Sequence, residues 1–207
     1  MYQADLDVLR ATRQHTLELI EGLTQAQTAF SPGSGQWSVG EVLDHLLLVE
    51  ALNRREIAAL IDLATSGRRP YLKRTFADVN VSMAYIPKSL LPFLEVPFRW
   101  LSRVVPRVAR EFMMRHRLVP AQSPDVGTPR QGRSIDELRA ELGTSLHEMQ
   151  ALFEANPTLD YRAMLHQHPL MGANNVLQLL RLGALHEQRH QSQIGDILRL
   201  PGFPREA

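Results

Sequence analysis

Apolar residues recur at helical spacing along most of this chain, and alternating strand patterns are nearly absent. That restricts the fold to helices packed on helices. Leu6, Leu9, Leu17, Ile20 and Leu23 mark an amphipathic helix over about residues 3–22, ended by Gly22. Ser31-Pro32-Gly33-Ser34-Gly35 is turn chemistry. Ser38 and Glu41 then form a capping box, which opens a long helix to about Thr65, closed by Gly67 and Pro70. Ser134 and Glu137 form a second box for a helix to about Ala155, stopped by Asn156-Pro157. His168-Pro169-Leu170-Met171-Gly172 reads as a turn, and Asn174 or Asn175 caps a last helix ending near Leu200. The expected fold is all-α: an antiparallel four-helix bundle forming a single domain over residues 1–207.

Between the second and third helices lies a long crossover, about residues 67–130, with prolines at 70, 87, 92, 97, 106, 120, 124 and 129. Proline lacks an amide hydrogen and clashes with the preceding turn, so short helices joined by turns are expected there. The stretch 87–120 sets seven basic side chains (Lys88 and arginines 99, 103, 107, 110, 115 and 117) against Glu95 and Glu111, among Phe93, Phe98, Trp100 and Phe112. It suits a lid over a pocket, a homodimer contact, a basic amphipathic surface, or a helical insertion packed on the bundle.

The chain has no cysteine, which excludes disulfides, thiolate zinc sites, iron–sulfur clusters and a cysteine nucleophile. Any metal must be held by His, Asp or Glu. A net charge of +1 makes no case for nucleic-acid binding. Residues 1–5 lack a basic region followed by an apolar run, and the richest apolar stretch, 89–105, is broken by Glu95, Arg99 and Arg103. A soluble cytoplasmic protein with no transmembrane segment is therefore expected.

The strongest local signal is His186-Glu187-Gln188-Arg189-His190. Histidines four residues apart share a helix face and can chelate one ion. This pair continues an apolar stripe, with Leu179 and Leu182 before it and Ile194 and Ile197 after it. His45 occupies the equivalent stripe of the second helix, between Val42 and Val49. Unpaired imidazoles facing a core are costly. Three from two packed helices would form a facial three-nitrogen site with open positions; the alternative is three separate core histidines with polar partners. The same five residues match the HExxH peptidase pattern, in which Glu187 would be the general base. Against that reading, Gln193 stands where the extended motif needs glycine ahead of Asp196, no Met-turn follows, and for the variant that takes a glutamate ligand from a later helix only Glu206 remains.

Trp37-Ser38-Val39-Gly40-Glu41-Val42-Leu43-Asp44-His45-Leu46, together with the late segment 186–194, resembles the DinB/YfiT-like superfamily. The resemblance covers residues 1–66 and 131–200. It implies a DinB-like four-helix bundle with one divalent ion on His45, His186 and His190, nickel or zinc first, with iron or manganese as alternatives. It also implies a small-molecule substrate and a metal-dependent transferase or hydrolase reaction. In some members this is transfer to a low-molecular-weight thiol such as bacillithiol, mycothiol or glutathione. A non-catalytic metal-binding or stress-related interaction protein is the alternative from another class. Glu187 and Gln193 are candidates for supporting the ligands, while Glu187 and Asp44 equally suit interhelical charges. Trp37 reads as packing at the helix entry, and His168 as a loop residue. His15, His116, His147 and His166 show no partner spacing.

Overall fold

The computed structural model describes residues 2–75, 78, 108, 112, 127–169 and 171–205. In chain order the described elements are α1 (Gln3–Leu19), α2 (Gln25–Ala29), α3 (Val39–Thr65), β1 (Tyr71–Lys73), α4 (Ile135–Glu154), β2 (Leu165–His168), β3 (Gly172–Asn175) and α5 (Val176–Leu198). The protein is mainly helical, and the four long helices fall where periodicity places them. The expected short helices of the crossover, and the basic stretch 87–120, lie almost wholly outside the described residues.

Local chemistry sets the helix starts. Ser38 accepts from the Glu41 amide at 3.2 Å, and Glu41 reaches back to the Ser38 amide at 2.8 Å. Asn175 and Gln178 form the same reciprocal pair at the start of α5. Ser134 does not cap α4; the amide of Ile135 donates instead to Gln25 Oε1 at 2.9 Å. The end of α3 turns at Gly67, whose φ of +68° suits a residue without Cβ, and the Arg68 amide closes onto Leu63 O at 2.9 Å.

One feature adds to the expected helices and another corrects the all-α expectation. A short helix, α2, opens with its own capping box from Thr24 and Gln27. A three-stranded sheet, order β1-β2-β3, pairs β1 parallel to β2 and β2 antiparallel to β3. His168 and Gly172, the two ends of the expected turn, pair across the antiparallel β2 and β3, and β1 begins where only helices and turns were expected. Strands this short carry too little alternation to stand out in sequence.

Among the described residues the apolar core forms two clusters. The first joins Leu6 and Leu9 of α1, Ile57 and Leu60 of α3, Met149 and Phe153 of α4, and Val176 and Leu180 of α5. The second joins Ile20 to Val42 and Leu43 of α3, Leu138 and Leu142 of α4, and Ile194 and Ile197 of α5. Read along each helix, α1 and α5 run from the first cluster to the second, and α3 and α4 run the opposite way. This corrects the antiparallel expectation: α1–α5 and α3–α4 are parallel neighbours, whereas α3–α5 and α1–α4 are antiparallel. Two helices with the same direction need a long return connection, which accounts for the extended link from α3 to α4. Between the clusters lies a buried polar layer: Arg13, Thr16, His45, Glu50, Ser145, Glu187, His190 and Gln191.

Candidate metal centre

The centre of this layer holds three imidazoles. His45 comes from α3, seven residues after the Ser38 cap; His186 and His190 come from successive turns of α5. Nε2 of His186 lies 3.3 Å from Nε2 of His45 and 3.2 Å from Nε2 of His190. One nitrogen from each of the three lies within 4.8 Å of the others, close enough to hold a metal ion together.

The far side of two rings determines what the near side offers. His45 Nδ1 lies 2.6 Å from the carbonyl oxygen of Gly127. A carbonyl only accepts, so Nδ1 carries the proton and Nε2 presents a lone pair to the centre. His190 Nδ1 donates in the same way to Gln193 Oε1 at 2.9 Å. Burial, and then the neighbouring His190 and His45, hold His186 well below the ordinary histidine pKa. Burial also lowers His45, overcoming the opposite pull of its Gly127 hydrogen bond. Both rings therefore favour the neutral form that binds a metal. A tetrahedral ion with metal–nitrogen bonds of about 2.0–2.1 Å separates its ligand atoms by about 3.4 Å. The two nitrogen–nitrogen distances are close to that value, so these residues fit a divalent ion.

The loop that follows Gly127 is held by the neighbour of His45. Asp44 is fully buried and accepts from the Arg130 amide at 2.7 Å, from Arg130 Nη2 at 2.7 Å and from Arg133 Nη1 at 3.0 Å. Burial works against its ionisation, yet these bonds hold its carboxyl below the usual range. Asp44 and His45 thus grip one loop at two points. Trp37 does more than pack at the helix entry: its indole centroid is 4.9 Å from that of His45 and stacks at 6.4 Å from that of His190. Surface grooves of about 760 and 480 Å³ lie along it, one lined by Ser31–Ser38 and the 128–132 loop, the other by Gln193, Asp196 and Ile197.

Glu187 turns away from the imidazoles. Its Oε1 accepts from Arg13 Nε at 2.8 Å and from Thr16 Oγ1 at 2.6 Å, and its Oε2 accepts from Arg13 Nη2 at 3.1 Å. Arg13 also donates to Glu50 Oε2 and to the carbonyl of Leu142, tying α1, α3, α4 and α5 together. Asp196 is exposed and pairs with Arg199 at 2.6 Å. His168 lies in β2, where its Nδ1 accepts from the Met171 amide at 3.2 Å and burial lowers its pKa to about 4. His166 is buried beside Glu56, with Nε2 at 3.4 Å from Oε2.

Arg13, Glu50 and Gly127 were not singled out from sequence. The two side chains carried a signal, because each interrupts an otherwise apolar helix stripe. The Gly127 contribution is a backbone carbonyl, which no sequence pattern reveals.

A family model described as the DinB superfamily matches residues 9–194. No curated protein and no solved structure matches the chain.

Proposed function

The chain belongs to the DinB superfamily, and from that premise we propose that it is a metal-dependent enzyme acting on a small molecule, with transfer to a low-molecular-weight thiol as its reaction class. One observation carries the reading: three Nε2 atoms from two helices converge, and acceptors at Gly127 and Gln193 set two of the tautomers. His45, His186 and His190 are the proposed ligands, for nickel or zinc ahead of iron or manganese. The cyclic packing of α1, α5, α3 and α4 supports the family's four-helix bundle, forming one domain with the crossover as an insertion.

His45, His186 and His190 would hold the divalent ion, which would lower the pKa of a thiol or water bound to it. The chain's own residues supply the rest. Gln193 and Gly127 orient two ligands, Asp44 anchors the loop that carries Gly127, and Trp37 walls the centre from the surface grooves. A substrate reaching the centre along those grooves meets the indole face first. Glu187, with both oxygens taken by Arg13 and Thr16, is unsuited to the general-base role of an HExxH peptidase. The expected cytoplasmic location remains part of this proposal, since such thiols are cytosolic reagents. No helix among the described residues is long and apolar enough to cross a membrane.

The test is turnover of a panel of electrophiles with glutathione-type and sugar-linked thiols. The protein is first loaded with nickel or zinc, and the assay is repeated after chelation and with the folded His190→Ala variant. Thiol consumption that disappears in both controls supports the reading. Full metal occupancy with no turnover across the panel would overturn it in favour of a non-catalytic metal-binding protein.

A further inference from the structure

Arg13 is 2% exposed and lies between two carboxylates that are themselves 8% and 3% exposed, Glu50 and Glu187. Glu187 is fully satisfied by Arg13 and Thr16. Glu50 is not: its Oε2 accepts from Arg13, and its Oε1 has no hydrogen-bond partner among the described residues. Two buried carboxylates thus share one guanidinium. An uncompensated buried charge is costly, and a protein retains one where something else supplies the opposite sign.

The geometry indicates what supplies it. Glu50 follows His45 on α3 by five residues, about 7.5 Å of helix rise, and Glu187 is the chain neighbour of His186. A cavity of about 30 Å³ is lined by Arg13, Glu50, Asn53, His186 and Glu187 among leucines and other apolar side chains. The imidazole of a proposed ligand and the unmatched carboxylate therefore border one small, mostly apolar space, where charges act strongly on one another. Burial favours the neutral form of His45 and His186, and Arg189 adds positive charge on their side.

We propose that Glu50 is a positioning residue of the metal centre: the carboxylate left unmatched by Arg13 is the counter-charge for a divalent ion held by His45, His186 and His190. This rests on the metal reading above and extends it to a residue that touches no ligand-side nitrogen. The arrangement makes opposite demands on the two states. The charge favours the loaded centre and burdens the metal-free fold.

The experiment measures zinc and nickel dissociation constants by competition with a chromophoric chelator, together with the melting temperature of the metal-free full chain. Glu50→Gln keeps the shape and removes the charge; it should weaken binding by about 10- to 100-fold while the metal-free melting temperature holds or rises. Asn53→Asp adds a carboxylate to the same cavity and should shift both quantities the other way, which keeps the test decisive if Glu50→Gln fails to fold. Unchanged affinity in Glu50→Gln with a lowered metal-free melting temperature would mean a structural role only and would overturn the proposal while leaving the metal reading intact. A wild-type protein that binds neither ion overturns the metal reading itself.

Discussion

Glu187 receives two hydrogen bonds from the guanidinium of Arg13, 2.8 Å from Nε and 3.1 Å from Nη2, across 174 residues of chain. This fork joins the first long helix to the last, and Glu187 is the chain neighbour of His186, one of the proposed ligands. It makes the polar layer a structural tie as well as the support of the centre.

Arg13→Met should therefore be strongly destabilising. It leaves Glu50 and Glu187 buried without their cation, a loss that costs about 3–5 kcal/mol where one partner of a buried pair is removed. Urea unfolding followed by circular dichroism measures this. A change under about 0.5 kcal/mol would contradict this, because it lies within the range of surface substitutions.

Gln193→Leu should preserve the fold and weaken metal binding. The residue is half-buried, and its carbonyl oxygen fixes the His190 tautomer at 2.9 Å. Losing a hydrogen bond behind a ligand typically lowers affinity by about 10- to 100-fold. Chelator competition on the variant is the measurement, and an affinity equal to wild type would show that Gln193 does not orient His190.

Asp44→Asn should loosen the 127–133 loop without unfolding the helices. The Arg130 amide donates to Asp44 Oδ2 at 2.7 Å, and the guanidinium bonds to Asp44 weaken once its charge is removed. Hydrogen exchange should then speed up at Arg130 and its neighbours while α3 and α5 stay protected. Unchanged protection at Arg130 would mean that something other than Asp44 anchors the loop.

Acid stability should depend on Glu56. Burial alone would raise its pKa, but the contact with His166 and the Arg74 guanidinium outweigh it and hold the carboxyl below the ordinary 4.5. A depressed carboxyl contributes stability above its unfolded pKa and loses it as pH falls through the folded value. Glu56→Gln should therefore flatten the decline in melting temperature below about pH 4.5. An unchanged acid limb would count against the ion pair as its source.

The histidine triad was legible from sequence because each imidazole interrupts an apolar stripe, and helical spacing alone brings such positions to one layer. Ser38 fixed the register of His45 in the same local way. Arg13 and Glu50 obey the same rule, but a charge on a stripe is informative only when its partner, far away in sequence, is known. The strands Leu165–His168 and Gly172–Asn175 escaped because LHQH and GANN carry no alternating apolar face. The relative direction of the helices follows from which cluster each end joins, and only the assembled core shows that.

If His45, His186 and His190 hold one divalent ion, elemental mass spectrometry detects it. The wild-type protein and the variants His45→Ala and His190→Ala would be reconstituted with zinc or nickel, desalted and assayed for bound metal. About one ion per chain is expected in wild type, as a single three-histidine site requires, with its loss in both variants. Wild-type protein that retains no ion, or full occupancy in His45→Ala, would contradict it.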